Sequence, residues 1–333
     1  MQRRHLMFCP LALLATPGHG TSTSWHWRER HLLGFGTTLH LRAAHADAGQ
    51  ADAALDAAVA ALRAVEASMS LFRADSEVSR LNREGRLGHP SSHLLRVLHE
   101  AQQIARRSDG AFDLTVQPLW AAYDQARKAQ AGLPSPQALA LARSRVGWRA
   151  LDVQKQLVRF QRPGMALTLN GIAQGYAADL ARDALQAHGI RHALIDAGEW
   201  SLLGQNERGR AWTLGIEDPR DEARVLAALR TDGRCVATSA DRRSAFSADH
   251  RHHHIFDPAT GDSPPALSSV TVVAPSAMRA DALTKVMFVA GPERIPALAR
   301  TWGVGVLWVD KAGGWAATPD LQITESSRPA NRL

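Results

Sequence analysis

Short strand-like segments outnumber helical ones in this chain of 333 residues, and the two kinds do not alternate strictly. A doubly wound parallel sheet needs that alternation, because a helix usually makes each parallel crossover. The order therefore predicts an α+β fold with mixed, largely antiparallel sheets and packed helices. No linker rich in proline, glycine or serine divides the chain, so we expect one compact unit.

The helices are predicted from apolar periodicity and capping residues, and the strands from short apolar or alternating runs. The predicted helices are residues 52–68, 91–107, 135–147, 172–188 and 279–290. The predicted strands are residues 39–44, 151–153, 157–160, 166–169, 192–196, 212–216, 235–238, 253–256, 269–274 and 304–309.

The N-terminus, residues 1–20, has the order of parts of an export signal. Arg3 and Arg4 precede a ten-residue apolar run at 6–15, which is too short to span a bilayer, and a helix-breaking segment follows. The adjacent arginines favour twin-arginine export. The alternative is an arbitrary start upstream of a cytosolic domain. We expect export to the periplasm or the periplasmic face of the membrane, with residues 30–325 as the folded domain.

The net charge is +7, from 39 Lys and Arg against 32 Asp and Glu. The basic residues are spread along the chain, and the densest groups are too short to be nucleic-acid arms. With only 2 Tyr and 8 Phe, although 9 Trp are present, the chain has little aromatic material for stacking on bases. We therefore expect no nucleic-acid partner, and the modest basic excess fits an anionic small ligand.

Two glycines, Gly171 and Gly175, open the predicted helix at 172–188 directly after a strand-like run. Small residues there let backbone N–H groups approach an anion at the positive end of the helix dipole. Ordinary strand-to-helix packing is the alternative. Further upstream, Ala111, Phe112 and Asp113 precede a proline-bounded segment that we predict as a strand. They form either a wall for a flat heteroaromatic ligand or a loop into a core strand.

Histidines are concentrated at His250 and at 252–254. On a strand, His252 and His254 would share one face, and an imidazole with a pKa near 6.5 can serve as a general base. A zinc site and a solvated basic turn are the alternatives. Asp281 and Thr284 share a helix face and can offer hard oxygen atoms to Mg²⁺, unless Asp281 only complements the helix dipole.

Taken in order, nine segments resemble the ApbE family of FAD:protein FMN transferases. They are FGTT (35–38), SLFRADSEVSRLN (70–82), GAFDLTVQPLW (110–120), LNGIAQGYAADL (169–180), IDAGEW (195–200), ATS (237–239), HHIFDPATG (253–261), SVTVVAP (269–275) and ADALTK (280–285). The resemblance implies Mg²⁺-dependent cleavage of FAD, attachment of FMN to a Thr or Ser hydroxyl of an acceptor protein, and release of AMP. It also implies an acceptor that is an exported subunit or domain of a membrane redox complex or flavin reductase.

Matched by position, the resemblance assigns FAD contacts to Phe35, Phe72, Ala111, Phe112, Asp113 and Gln174. It assigns Mg²⁺ to the Gly171 carbonyl and the Asp281 carboxylate, and the role of base to His254. The family pattern has a hydroxyl four residues after the aspartate, and that position is Lys285 here. Thr284, one residue earlier, is the nearby substitute and completes the predicted metal set.

Two other functions remain open from the sequence. The chain could hydrolyse FAD to FMN and AMP with water as the acceptor. It could also be an exported protein that binds FAD or a metal without catalysis.

Overall fold

The computed structural model describes residues 25–324, so the predicted export signal lies outside the described residues. The helices are α1 (Ala48–Met69), α2 (Glu77–Glu84), α3 (Ser92–Arg107), α4 (Gln117–Lys128), α5 (Pro136–Ser144), α6 (Ala173–Ala187), α7 (Ala277–Ala290) and α8 (Ile295–Trp302). The strands are β1 (His26–Gly34), β2 (Thr37–His45), β3 (Arg86–Gly88), β4 (Leu151–Gln154), β5 (Leu157–Phe160), β6 (His192–Asp196), β7 (Trp200–Leu203), β8 (Thr213–Asp218), β9 (Asp221–Arg230), β10 (Cys235–Ala240), β11 (Leu267–Ala274), β12 (Gly305–Asp310), β13 (Trp315–Ala317) and β14 (Ile323–Thr324).

An eight-stranded antiparallel sheet of order β1-β2-β6-β7-β10-β11-β12-β13 forms the centre of the fold. Helices α1, α6 and α7 pack on one face and bury the main apolar core. A three-stranded sheet, β14-β9-β8, packs on the other face around Trp212. The predicted α+β class with antiparallel sheets is confirmed. No helix in the described range is long and apolar enough to cross a bilayer.

The register brings several turns to one end of the large sheet. His40 in β2 pairs with Asp196 at the end of β6, and Val236 in β10 pairs with Trp200 at the start of β7. The β1–β2 turn, the β6–β7 turn and the last residues of β10 therefore lie at the same end. Side chains far apart in the sequence meet there.

Three predicted strands are wrong, and the structure gives the reason for each. The segment after Asp113 enters helix α4, because Pro118 lies in the first helical turn, where a missing N–H costs nothing. At 166–169, the Asn82 side chain donates to the Leu167 carbonyl and accepts from its N–H, so a side chain replaces the strand partner. At 253–256, Ser263 satisfies the His253 backbone in the same way.

Candidate active site

Helices α6 and α7 cross in close contact at Gly175. A Cβ built on Gly175 would lie 2.2 Å from the Ala277 carbonyl oxygen, so any other residue would push the helices apart. The Asp179 carboxylate on α6 accepts the N–H groups of Ala277 and Met278 at 2.7 and 3.0 Å, which caps the start of α7. These contacts fix the glycine-lined turn before α6 against the first turns of α7.

Asp281 points from α7 into this junction and is fully buried. Its Oδ2 accepts the Gly175 N–H at 3.4 Å, and its Oδ1 forms an ion pair with the Lys285 ammonium one helical turn later. Burial raises the pKa of Asp281, and the Lys285 charge opposes that shift. The carboxylate thus lies in a desolvated position with one long hydrogen bond and one cation.

Glu199, in the β6–β7 turn, is a second buried carboxyl group at this place. Its Oε2 has no hydrogen-bond partner among the described residues. Burial, and then the charge of Asp281, raises the pKa of Glu199 well above its ordinary value, while Lys285 opposes the shift. Glu199 was not among the residues predicted for the site. The sequence signal for it was an acid directly after Gly198, just past the predicted strand at 192–196.

Gln174 lies on the same side as Glu199. A Cβ on Gly198, where φ is +91°, would be 2.4 Å from the Gln174 amide nitrogen, so the glycine provides the space for that side chain. The predicted contacts Gly171 and Gln174 are therefore brought together with Asp281, as expected for a single site at the start of α6.

Thr284 is buried, and its hydroxyl makes two hydrogen bonds within the protein. It donates to the Asp281 carbonyl at 2.6 Å and lies 2.7 Å from the Ser239 hydroxyl at the end of β10. The hydroxyl therefore links α7 to the sheet, and the partners it has leave it little capacity to bind a metal.

His254 lies close enough to Lys285 for the two side chains to interact electrostatically. Burial, and then the Lys285 charge, lowers the pKa of His254 to about 4, so the imidazole is neutral near pH 7. Its Nδ1 is buried without a hydrogen-bond partner in the described part of the chain. A neutral imidazole with an unused nitrogen can accept a proton.

The other histidines of the run have different surroundings. His252 Nδ1 lies 2.7 Å from Asp262, and His253 is fully buried with its ring against Phe288. They do not form a zinc site: across residues 25–324, the one group of three His, Cys, Asp or Glu ligand atoms within 4.8 Å of one another is Glu29, His31 and His40. The zinc interpretation of this run therefore has no support in the geometry.

Two aromatic side chains predicted to contact FAD meet at the β1–β2 turn. Phe35 and Gly36 both have positive φ, +53° and +79°, as a two-residue turn of this hairpin type requires. Phe72, 77% exposed, lies over this turn, since a Cβ on Gly36 would be 3.5 Å from its ring. An exposed aromatic ring at the site end of the sheet is available to a flat ligand.

The other predicted FAD-contact segment, Ala111 to Asp113, is more enclosed. Phe112 and Asp113 are buried, and Asp113 accepts the N–H groups of Thr115 and Trp148 at 2.7 and 2.9 Å. The Thr168 N–H donates to the Leu114 carbonyl at 2.8 Å, so this loop lies beside the segment that leads into Gly171. Asp113 therefore holds the loop, and the half-buried Ala111 is its more accessible residue.

The arrangement at Asp281 does not fit the predicted Mg²⁺ ion. A magnesium site needs oxygen ligands around a position free of other cations. Here the Lys285 ammonium pairs with the Asp281 carboxylate, and the lysine chain covers Gly171, where a Cβ would be 2.9 Å from Lys285 Cε. Of the predicted ligands, the Asp281 carboxylate is thus paired with the lysine, Gly171 has the lysine chain against its Cα, and the Thr284 hydroxyl has other partners.

The sequence of this chain is similar to those of two named enzymes. The chain is 34% identical to the FAD:protein FMN transferase of Vibrio cholerae over 260 residues, which cover 75% of this chain and 77% of that protein. It is 30% identical to the Escherichia coli K12 protein of the same name over 258 residues, covering 74% and 73%.

Solved structures and a family model agree with those relatives. The fold superposes on the structure of the flavin transferase ApbE from Vibrio cholerae with a TM-score of 0.76 at 27% identity, covering 89% of this chain and 97% of that one. The model of the ApbE family matches residues 35–308. This chain belongs to the ApbE family.

Proposed function

We propose that this chain transfers FMN from FAD to a Ser or Thr hydroxyl of an acceptor protein and releases AMP. The observation that carries the proposal is the neutral His254 beside the charged junction of α6 and α7, within a fold and family whose named relatives are FAD:protein FMN transferases. The unused Nδ1 of His254 and the glycine-lined turn together provide a base next to an anion-binding helix start.

The proposed step is an in-line phosphoryl transfer. The acceptor oxygen forms a bond to the phosphorus of the FMN half, and the bond from that phosphorus to the oxygen of the AMP phosphate breaks. The hydroxyl proton goes to His254, and AMP leaves with the electron pair of the broken bond. The histidine must be neutral for this role, as its lowered pKa favours.

The remaining residues bind and orient FAD. The helix α6 start and Gln174 face the diphosphate, and Phe35 and Phe72 form the aromatic side of the flavin site with Ala111. Asp113 and Phe112 hold that loop in place. The resemblance implies Mg²⁺, but the side chains at Asp281 do not fit it.

The proposal includes the location of the reaction. Residues 1–20 have the order of an export signal. Export supports an acceptor on the same side of the membrane: an exported subunit or domain of a membrane redox complex, or a flavin reductase.

The test is an incubation of the purified protein with FAD and the acceptor domain encoded nearest to its gene. Transfer gives a covalently fluorescent acceptor band in a denaturing gel, and equal molar amounts of AMP. AMP without a labelled acceptor would instead identify an FAD hydrolase. Tight FAD binding with no AMP, under conditions where a related transferase is active, would identify a binding protein and contradict the proposal.

A further inference from the structure

Lys285 holds a defined position within the candidate site. Its Nζ contacts Asp281 twice, at the carboxylate Oδ1 and at the backbone carbonyl, the latter at 3.2 Å. Its side chain is only 20% exposed. The aliphatic part lies against Gly171, whose missing Cβ leaves the space for it. The lysine is therefore packed into the junction at the turn that opens α6.

Two buried carboxyl groups near the Lys285 ammonium need a positive charge to compensate them. Asp281 and Glu199 are both buried, and each interacts electrostatically with Lys285. Buried carboxyl groups are costly unless a positive charge or a proton compensates them. Lys285 provides that charge from within the chain, so the acidic pair has its counter-ion before any ligand arrives.

A lysine can also serve the substrate. Its ammonium is a compact charge with three N–H donors, of which the two Asp281 contacts occupy two. The third donor and the helix α6 start are then available to a diphosphate oxygen. A divalent ion bound to Asp281 would have to displace this ammonium or sit in contact with its like charge.

We propose that Lys285 takes the place of a divalent cation, so that its ammonium compensates the buried acidic pair and donates a charged hydrogen bond to the FAD diphosphate, and the site binds FAD without metal. The inference rests on the proposed function, because it states how that site holds its substrate. It makes Lys285 a residue that touches the substrate and Asp281 the residue that positions it.

The first test measures FAD affinity by quenching of flavin fluorescence, in EDTA and in excess Mg²⁺. We expect equal dissociation constants, within about twofold, for the unaltered protein in the two buffers. Lys285→Thr should bind FAD about tenfold more weakly in EDTA, because a charged hydrogen bond is lost. Lys155→Thr, the same change at an exposed turn between β4 and β5, should match the unaltered protein.

The second test measures Mn²⁺ binding by electron paramagnetic resonance at saturating FAD. The unaltered protein should leave Mn²⁺ free. One bound Mn²⁺ that Asp281→Asn abolishes would overturn the inference, as would FAD binding that is at least about tenfold weaker in EDTA. The comparison of the two buffers and the search for bound Mn²⁺ are made on the unaltered protein, so these two results do not depend on the folding of Lys285→Thr or Asp281→Asn.

The FMN transfer assay separates this inference from the proposed function. FAD binding that is equal in both buffers, without transfer to any acceptor, would overturn the proposed function and leave the lysine assignment standing. Transfer that occurs only with a divalent cation, together with a bound Mn²⁺, would overturn the lysine assignment and leave the proposed function standing. A protein that binds no FAD in either buffer would overturn both.

Discussion

Two buried aspartates, Asp113 and Asp281, are held in opposite ways. Asp113 accepts three short hydrogen bonds, two from Thr115 at 2.7 and 2.6 Å and one from the Trp148 N–H at 2.9 Å. Asp281 has one backbone N–H at 3.4 Å and a lysine. A carboxylate saturated by donors of its own and a neighbouring loop holds those loops together. The Asp281 carboxylate depends on the Lys285 cation, and the site also contains the unpartnered Glu199 Oε2 and His254 Nδ1. Such a carboxylate belongs to a site that can respond to a ligand.

The largest expected effect is on the rate of FMN transfer when His254 is replaced. Its Nδ1 is buried in the candidate site without a hydrogen-bond partner among the described residues. His254→Ala should lower the rate of FMN transfer about 10²- to 10⁴-fold, because the proton acceptor is lost. The FAD dissociation constant should stay within about twofold, since the proposed base would take its proton from the acceptor and not from FAD. His252→Ala is the matched control and should leave the rate unchanged. A loss of FAD affinity at an unchanged rate would contradict the role of base.

Asp281→Asn tests the less saturated aspartate. The amide keeps the volume and can still accept the Gly175 N–H, but it no longer holds the Lys285 ammonium in place. We expect the transfer rate to fall about 100-fold with the melting temperature nearly unchanged, by analogy with the loss of one positioned charge contact in an active site. A variant that transfers FMN at the original rate would remove Asp281 from the site.

Asp113→Ala tests the saturated aspartate and should act on stability. Two N–H groups and the Thr115 hydroxyl would lose their acceptor in a buried loop, which we expect to lower the free energy of unfolding by about 3 kcal/mol. Urea unfolding measures the change. The molecules that remain folded should lose much less of the FMN transfer rate than Asp281→Asn does. A stable but inactive variant would show that the two aspartates do not divide these tasks.

A smaller effect is expected on the free energy of unfolding as the pH is changed. Burial and Lys285 lower the pKa of His254 to about 4, whereas an unfolded histidine has a pKa of about 6.5. Between these values the unfolded chain binds more protons, so stability rises with pH. We expect His254 to contribute about 2 kcal/mol to the loss of unfolding free energy between about pH 7 and pH 4.5.

Urea titrations across that range check the prediction, and His254→Gln should have a shallower slope. Part of the slope should remain in this variant, because burial and then the Lys311 charge also lower the pKa of His253, to about 3. An unchanged slope in His254→Gln would mean that the imidazole is already protonated, or solvated, in the folded protein.

The smallest effect is expected at the exposed rim. Phe72→Ser should weaken FAD binding about fivefold through the loss of ring stacking, and leave the melting temperature unchanged because the side chain is 77% exposed. Leu141→Ser on α5, a residue 54% exposed, is the matched control for the loss of apolar surface. Equal FAD affinity in all three proteins would exclude Phe72 from the flavin site.

The fold was most predictable where the residues of one helix or strand are sufficient to identify it without its neighbours. Helix α3 begins after Ser91, whose hydroxyl accepts the Leu94 N–H, and α1 shows its apolar stripe in the sequence. Strand β1 was not predicted, because its residues are mostly polar. The segment is a strand because it pairs with β2, and that pairing cannot be read from its own residues. The strand-like run at 166–169 failed for the opposite reason, since its apolar residues have the Asn82 side chain in place of a neighbouring strand.

The candidate site was predictable only in part. Asp281 and Lys285 are four residues apart on a helix, a spacing that favours an ion pair. That the ammonium would also lie over Gly171, and that Glu199 would face the same point, depends on the contact of α6 with α7 and on the sheet register. The roles of Phe35, Gln174 and His254 came from the family resemblance and stay predictions until the variants are measured.

The crossing at Gly175 has a consequence for protein engineering. Because the backbone atoms of the two helices touch there, neither helix can slide or rotate independently. A chimera in which the exchanged α6 carried any residue larger than glycine at this crossing would separate Asp281 from its turn even if every other side chain of the site were retained. Transplanting this activity into another scaffold therefore requires both helix starts to be moved together, as a single rigid block.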